Sequence, residues 1–476
     1  MAGNIGLSGA IGAMLLLAGC ATATAPPPAT AAAPESWRAA LDDPALAGTR
    51  WGLLVVDEDG REIAAIAPDE RFVPASNTKM VTIATTFAEP GLLDAPIGGT
   101  AVALHPRGGG GVDVVLIGAG DPLLGDGADC VRDCLAELAD AVAAKTRSVG
   151  NVIGDDTLYP DERWGPGWSW NNLPTSYGTA VSALTLNDNV TTLTVTPGAT
   201  PAVANEDGWY RVDNHVRTGA TTQIAVDRLP GSRRLRLSGT IAAGSPPEIV
   251  RLGVDDPAQW AAHRFIRLLR ARGVAVTGEP LALHRAAGDA APPPRAILAR
   301  LTPRDYADAV RDTMKISQNL YAELMLRRVA AARGDRGTAD GLAAVEAMFA
   351  AAGAPRHGWD LSDGSGMSTY NRLSPRAVVA MLRWTVAQHW GDAYRAILPV
   401  AGVDGTLSGR FRNTPLETRL FAKTGSLNGV AALSGFFTTA SGRTFTFSSF
   451  ANDRPAQTGS ATEAIERALN VIAARH

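Results

Sequence analysis

A serine and a lysine three residues apart are the first residues in this chain that could do chemistry. They are Ser76 and Lys79, in the stretch Val73-Pro74-Ala75-Ser76-Asn77-Thr78-Lys79-Met80. Side chains three positions apart share one face of a helix, so the lysine amine can reach the serine hydroxyl. That arrangement suits a serine nucleophile with a lysine base, and unpaired N–H groups at a helix start can face an oxyanion. A serine helix cap beside a solvated lysine fits the same residues, so the pair needs support from elsewhere.

Lysine usage supplies part of that support. Only four of the 44 basic residues are lysines. Arginine cannot give up its proton in a protein, whereas a lysine with a lowered pKa can act as a base. We therefore expect lysines where arginine cannot substitute, and Lys79, Lys315 and Lys423 all lie in or beside candidate motifs. Lys145 lies near no motif, and chance alone can explain why this lysine remains in a chain that otherwise uses arginine.

Two further motifs follow along the chain. Ser317 and Asn319, two residues apart, lie at a predicted helix junction and can point into one cleft. A simple helix cap by either residue explains this pair as well. Lys423-Thr424-Gly425-Ser426 precedes two apolar stretches that are predicted to be strands.

In this order, the three motifs resemble the active-site set of penicillin-binding proteins and serine β-lactamases. The chain from about Trp37 onward is similar to the class C penicillin-binding proteins, which are D-alanyl-D-alanine carboxypeptidases that also act as endopeptidases on peptidoglycan crosslinks. The stretches that carry this similarity are Gly118–Leu123, Gly154–Asp156, Tyr177–Leu184, Asp363–Gly366 and Gly402–Leu407. The family usually has Ser-Asp-Asn where this chain has Ser317-Gln318-Asn319, which leaves open the contact made by the middle residue.

The resemblance implies a catalytic role for five residues. Ser76 would attack the D-Ala-D-Ala bond and form an acyl-enzyme that water hydrolyses. Lys79 would be the base, kept neutral by the nearby charge of Lys423. Ser317 would pass the proton to the leaving amine, and Asn319 would orient Lys79 and the substrate peptide.

The resemblance also implies a substrate site. The terminal carboxylate would be bound by Lys423, Thr424 and Ser426. Gly425 would let the strand approach the substrate closely, and the backbone N–H groups of Ser76 and Ser426 would form the oxyanion hole. Asp156 would contact the diamino-acid side chain of the peptide stem, although a turn aspartate after Gly154 is an equally good interpretation. The implied partners are peptidoglycan peptides ending in D-Ala-D-Ala and β-lactam antibiotics as covalent inhibitors, with no metal or organic cofactor.

The fold class expected from the sequence is α+β. We predict a penicillin-binding/β-lactamase-like transpeptidase-type domain, an antiparallel sheet covered by helices, formed by residues 37–98 and 286–476. A β-rich insertion of residues 99–285 would form one or two extra domains with one clear helix near Asp129 to Lys145. The remaining predicted elements are strands Trp51–Val56, Arg61–Ile66, Val430–Phe437 and Thr444–Phe450, a helical stretch Ile297–Gly334 and a helix Thr462–Ala474.

Two cysteines lie within the helix predicted for the insertion. Cys130 and Cys134 could form a disulfide in a distorted first turn, because an i, i+4 bridge is strained in a regular helix. Free thiols remain the alternative. Two thiols with no histidine nearby are too few for a zinc site.

The N-terminal residues have the pattern of an export signal. The apolar stretch Ile11–Ala18 is too short to span a membrane, and its Leu-Ala-Gly-Cys ending resembles a bacterial lipobox with Cys20 as the lipidated residue. Residues 21–36 are rich in Ala, Thr and Pro and predict a flexible tether. The first ten residues carry no lysine or arginine, so cleavage by a plain signal peptidase near Ala23 or Ala25 is the alternative. We expect an exported, periplasmic protein. If Cys20 is lipidated, a lipid anchor in the outer membrane would be its only membrane contact. The net charge of −3 does not suggest nucleic acid as a partner.

Two other functions fit parts of the pattern. A serine β-lactamase needs a deacylation base, typically in a Glu-x-x-Leu-Asn segment, and none occurs between Asn319 and Lys423. Such β-lactamases also lack so large an insertion. A non-catalytic wall-binding lipoprotein would keep the fold without the chemistry, but all five expected catalytic side chains are present.

Overall fold

The computed structural model describes residues 36–96, 99–108, 110–302, 305, 307–334, 336–455 and 460–476. The signal peptide, Cys20 and nearly all of the predicted tether lie outside the described residues. The helices are α1 (Thr78–Ala88), α2 (Leu135–Lys145), α3 (Pro257–Ala271), α4 (Ala307–Lys315), α5 (Asn319–Ala332), α6 (Thr338–Ala351), α7 (Pro375–Val386), α8 (Gly391–Ala396) and α9 (Ala461–Arg475). Among the described helices, none combines the length and the apolar character needed to cross a bilayer.

The strands are β1 (Arg50–Val56), β2 (Glu62–Ile66), β3 (Ala101–Pro106), β4 (Val112–Ile117), β5 (Ser148–Val149), β6 (Val152–Asp155), β7 (Val190–Thr196), β8 (Ala202–Ala204), β9 (Arg211–Gly219), β10 (Gln223–Asp227), β11 (Arg234–Ala242), β12 (Glu248–Gly253), β13 (Ala275–Val276), β14 (Pro280–Leu283), β15 (Ile297–Arg300), β16 (Trp359–Asp360), β17 (Arg372–Leu373), β18 (Leu420–Leu427), β19 (Val430–Thr438) and β20 (Thr444–Asn452).

An antiparallel sheet, β18-β19-β20-β1-β2, forms the centre of what we call the body. Successive side chains of a strand point to opposite faces, so one strand can serve two cores. Phe437 packs with Leu469 of α9 on one face. Phe436 joins the core formed with α1, α5, α6 and α7 on the other face. The predicted fold class, a helix-covered antiparallel sheet with a β-rich insertion, is confirmed.

The β-rich middle of the chain, which we call the insert, has its own core. Its largest sheet has the order β14-β6-β4-β3-β15, in which β14, β6 and β4 are parallel and the other pairs are antiparallel. Helices α2 and α3 share that core with the sheet through residues such as Leu138, Phe265, Leu116 and Val152. Two three-stranded sheets, β12-β7-β8 and β10-β11-β9, complete the insert.

The helix predicted near Asp129 begins later than expected. It starts at Leu135, because Asp133 has a φ of +53° and Cys134 is an extended N-cap residue. Cys130 and Cys134 are joined by a disulfide with Cα atoms 5.7 Å apart, ahead of the helix and not in its first turn. The sequence prediction also missed α3. The start of this helix is marked by Asp256, whose side chain accepts from the N–H of Gln259, and by the proline that follows it.

The prediction of a continuous helical stretch from Ile297 was wrong. Ile297–Arg300 is the strand β15, and among the described residues from there to Gly334 the helices are α4 and α5. Pairing with β3, which places β15 at the edge of the sheet, overrides the local preference of these residues. The insert's sheet therefore includes a strand beyond residue 285.

Candidate active site

Ser76 lies in a tight turn and not in a regular helix. The turn Ala75–Asn77 is a 3-10 helix directly ahead of α1. Ala75 has a φ of +47°, a left-handed conformation that typically costs on the order of 1–3 kcal/mol for a residue with a side chain. Asn77 Nδ2 donates to the backbone oxygen of Lys423 at 2.9 Å, so the turn is tied to β18.

Lys79 contacts Ser76 from the first turn of α1. Its Nζ lies 3.0 Å from Ser76 Oγ, 2.5 Å from Asn319 Oδ1 and 2.7 Å from the backbone oxygen of Ser365. Burial lowers the pKa of Lys79 to about 7, although the charges of Asp363 and Glu323 act in the opposite direction. A large fraction of Lys79 is thus neutral near pH 7 and able to accept a proton.

Lys423 and Ser317 form a second serine–lysine pair. Lys423 Nζ lies 2.8 Å from Ser317 Oγ, and Ser317 has a φ of +64°. The pKa of Lys423 lies well below its ordinary value because the side chain is buried and because the charge of Lys79 disfavours a second ammonium. Burial is the largest cause of the lowered pKa of Lys79, and the further effect expected from the charge of Lys423 stays a prediction.

Asn319 links Lys79 to the loop that contains Tyr177. It is the first residue of α5, and its Nδ2 donates to the backbone oxygen of Tyr177 at 2.8 Å while its Oδ1 accepts from Lys79. The preceding Gln318 accepts from the N–H of Leu320 at 3.2 Å. The unusual middle residue of this motif thus serves as the helix cap.

Sequence reasoning missed Glu323. This side chain is buried on α5, and its Oε1 accepts from the N–H groups of Gly364 and Ser365 at 3.1 and 2.8 Å. Its other oxygen pairs with Arg327 at 3.4 Å. Glu323 thereby holds the turn whose Ser365 carbonyl accepts from Lys79. Its spacing of four residues from Asn319, on one helix face, was the available signal.

The third motif lies on the edge strand β18. Gly425 packs against the Ser76 turn: a Cβ there would lie 2.7 Å from the Pro74 oxygen and 3.2 Å from the Asn77 nitrogen. This glycine therefore allows close approach to the Ser76 turn, and its expected role in approach to the substrate stays a prediction. Thr424 Oγ1 donates to Thr406 Oγ1 at 2.8 Å. Ser426 is exposed.

A cleft of about 740 Å³ begins at Ser426. It continues between the third motif, the loop after β20 and the loop that contains Tyr177. The residues along these walls include Asn171, Asn172, Tyr177, Met367, Thr369, Ser426, Asn428 and Asn452. An extended peptide has room to lie beside β18.

Asp156 does not line this cleft. Its carboxylate is buried in the insert, where it accepts from Ser182 Oγ at 2.8 Å and pairs with His284 Nδ1 at 2.9 Å. Hydrogen bonds to Asp156 and Asp256 raise the pKa of His284 to about 10, so this ion pair persists at neutral pH. The structure gives Asp156 an internal contact and brings the other predicted site residues together without it.

Two serine–lysine pairs, one of them bound to an asparagine, beside the edge strand of a helix-covered sheet define the class of penicillin-binding serine hydrolases. Within this class, the chain belongs to the D-Ala-D-Ala carboxypeptidase 3 (S13) family, whose model matches residues 35–476. The recognition made from the motifs is confirmed, and the chain is a serine-type D-Ala-D-Ala carboxypeptidase.

Known relatives agree with this placement. The chain is 33% identical over 426 residues to a D-alanyl-D-alanine carboxypeptidase of Actinomadura sp. (strain R39), covering 84% of this chain and 78% of the relative. It is 26% identical over 349 residues to the D-alanyl-D-alanine carboxypeptidase DacB of Haemophilus influenzae, covering 70% of each. The crystal structure of penicillin binding protein 4 (dacB) from H. influenzae has the same fold, with a TM-score of 0.77 at 24% identity over 89% of this chain and 96% of that one.

Proposed function

We propose that Ser76 is the nucleophile of this carboxypeptidase and attacks the carbonyl carbon of the terminal D-Ala-D-Ala bond in peptidoglycan stem peptides. The observation that carries the proposal is the buried Lys79 amine, 3.0 Å from Ser76 Oγ and with a pKa of about 7. A neutral amine at that distance is a competent base at neutral pH. The same chemistry on a crosslinking peptide would give endopeptidase activity.

In acylation, Lys79 takes the Ser76 proton as the bond from Oγ to the carbonyl carbon forms. The carbonyl oxygen becomes an oxyanion that the N–H groups of Ser76 and Ser426 stabilise, each such donor being worth roughly 3 kcal/mol in the transition state. The peptide C–N bond then breaks, and Ser317 gives its proton to the departing D-alanine amine. Ser317 is reprotonated from Lys423, which lies 2.8 Å away.

In deacylation, water attacks the ester and releases the shortened peptide. Lys79 first gives the proton taken from Ser76 to the departing D-alanine amine, which leaves as an ammonium, so that Lys79 is neutral again. Lys79 then accepts a proton from the attacking water and returns it to Ser76 Oγ as the ester bond breaks, and the proton of the new carboxylic acid restores Lys423. Asn319 supports both steps by holding Lys79 Nζ at 2.5 Å.

The substrate carboxylate is expected to bind at Lys423, Thr424 and Ser426. A bound carboxylate favours the ammonium form of a neighbouring amine, so substrate binding itself would charge Lys423. Substrate binding would thereby favour the protonated Lys423 that passes a proton to Ser317. β-Lactam antibiotics carry a carboxylate at a similar distance from their reactive carbonyl and would acylate Ser76 through the same contacts.

Intact-mass measurement with penicillin tests the nucleophile. We expect the mass of residues 37–476 to rise by one penicillin and to stay raised for many minutes, with no adduct on Ser76→Ala. Loss of penicillin without an adduct would instead favour a β-lactamase. Absence of both adduct and turnover would leave a wall-binding protein, and release of D-alanine from a D-Ala-D-Ala tripeptide separates these outcomes independently.

We also propose that the chain is exported and carries lipid on Cys20. The support is the Leu17-Ala18-Gly19-Cys20 sequence after an apolar stretch. Protein expressed from the full sequence would partition into the membrane fraction, and Cys20→Ala would release it. A soluble, unlipidated wild-type protein cut near Ala23 would contradict lipidation.

A further inference from the structure

A second pocket lies where the insert meets the body, and none of its lining residues lines the cleft at Ser426. Its volume is about 600 Å³. It is formed by the ends of two insert strands, by the segment before and within β15, and by the last turns of α5. The residues on which the argument rests are Gly118, Asp155, Tyr159, Arg295, Arg300, Arg328 and Arg336.

The floor of this pocket is the carboxyl edge of parallel strands. Strands β4 and β6 run parallel and end at Ile117 and Asp155. Ligands of parallel sheets typically bind at this edge. The loop after β4 packs closely, because a Cβ on Gly118 would lie 2.5 Å from the backbone of Ala183. This loop is one of the family-like stretches to which the catalytic chemistry gives no role.

The walls of the pocket are strongly positive. Four guanidinium groups and one carboxylate, Asp155, give the described lining residues a formal charge of +3. The carboxylate is already used, since Asp155 accepts from Thr157 Oγ1 at 2.6 Å and from Arg295 Nε at 3.4 Å. Arg300 donates to the backbone oxygen of Gly99 at 2.8 Å, a contact that orients the guanidinium without neutralising it.

The remaining lining offers a neutral donor and apolar surface. Tyr159 is buried, and burial raises the pKa of its phenol, so it stays protonated and able to donate. Pro292, Pro293 and Ile297 form an apolar flank. Planar guanidinium forks bind carboxylate and phosphate oxygens through paired hydrogen bonds.

We propose that this pocket, the arginine pocket, binds a ligand through a phosphate or carboxylate oxyanion. The site is separate from catalysis: Arg328 follows Asn319 by nine residues on α5, which places it roughly 14 Å along the helix axis. The proposal does not depend on the chemistry assigned to Ser76. The ligand is identified by the negative charge of the group that meets the guanidinium groups. That group is a phosphate or a carboxylate.

Isothermal titration of the full chain with pyrophosphate and with citrate, at constant ionic strength, tests the pocket. We expect saturable binding of at least one probe to the wild type. The double variant Arg300→Gln/Arg336→Gln removes two exposed guanidinium groups and should bind about tenfold more weakly or worse. Arg217→Gln, an exposed arginine on β9 outside the pocket, should bind as the wild type does.

The outcomes separate cleanly. Binding of pyrophosphate alone identifies a phosphate site, of citrate alone a carboxylate site, and of both a general oxyanion site. Absence of saturable binding by the wild type, or equal binding by the double variant, would overturn the proposal. Penicillin acylation should proceed equally in all three proteins, so that failure here is distinguishable from failure of the Ser76 assignment.

Discussion

Two lysines with lowered pKa values set the chemistry at the scale of single residues. Lys79 and Lys423 are both buried, each within hydrogen-bonding distance of one serine. An arginine in either place would remain charged and could not act as a base. This requirement explains why a chain that uses arginine for nearly all its positive charge keeps lysine at these two positions.

The first prediction concerns the pH dependence of acylation. If neutral Lys79 is the base, as proposed, and its pKa is about 7, the rate of penicillin acylation should rise with pH through about 7 and then level off. Asn319→Asp places a carboxylate beside Lys79 and should raise that pKa by about 1–3 units. The variant should therefore acylate about tenfold or more slowly at pH 7 and recover as the pH rises.

Stopped-flow measurement of the acylation rate between pH 5 and 9, at steps of about half a pH unit, covers both the rise and the plateau of the profile. Asn413→Asp, which adds the same charge at an exposed position, is the control and should leave the profile in place. A pH profile of Asn319→Asp that matches the wild type would mean that Lys79 is not the titrating base.

At the scale of elements, α5 begins at the site and depends on an unusual cap. Gln318 occupies the cap position and accepts from the N–H of Leu320. Aspartate, the residue usual in the family, is a stronger cap. With glutamine, the chain keeps the hydrogen bond that caps α5 but lacks the negative charge of an aspartate.

Capping by Gln318 predicts a graded effect on stability. Gln318→Ala should lower the free energy of unfolding by about 0.5–1 kcal/mol, whereas Gln318→Asp should leave it equal or higher. Urea denaturation followed by circular dichroism measures the difference. Equal midpoints for the alanine variant and the wild type would show that the cap contributes nothing.

Packing of β18 against the nucleophile turn predicts the effect of Gly425→Ala. The new methyl group would lie 2.7 Å from the Pro74 oxygen, so strand and turn must separate. A displacement near 1 Å can cost about a hundredfold in rate, and we expect penicillin acylation to fall by about tenfold to a hundredfold. Gly409→Ala is the matched control, since nothing lies within 4 Å of its Cβ position. Acylation of Gly425→Ala at the wild-type rate would refute a positioning role for this contact.

At the scale of the whole molecule, α5 connects the insert to the catalytic body. Tyr321 Oη donates to Asp188 Oδ1 at 2.6 Å, Asn319 reaches the Tyr177 carbonyl, and Arg327 donates to the Glu162 carbonyl at 2.6 Å. Insert residues on the Tyr177 loop also form a wall of the substrate cleft. The insert is therefore a structural part of the site.

Loss of one of these contacts should loosen the insert. Tyr321→Phe leaves the Asp188 carboxylate without this donor and should lower stability by about 1–3 kcal/mol. Hydrogen exchange should rise first in residues 187–189, where three successive residues have positive φ. Tyr370→Phe, on a side chain that is 62% exposed, should change neither stability nor exchange. Unchanged exchange in Tyr321→Phe would contradict this role for α5.

The sequence by itself determined the family, the three motifs and the strands beside them. Short motifs carry their chemistry in residue type and spacing, and short apolar runs predicted β1, β19 and β20 to within two residues. The tertiary structure decided what depends on contacts between distant residues. Burial lowers the pKa of Lys79, and Glu323 holds a turn 41 and 42 residues away. β15 is a strand because β3 lies beside it, and Asp156 pairs with His284. None of these can be read from neighbours along the chain, because desolvation, ion pairing and sheet pairing exist only once the chain has folded.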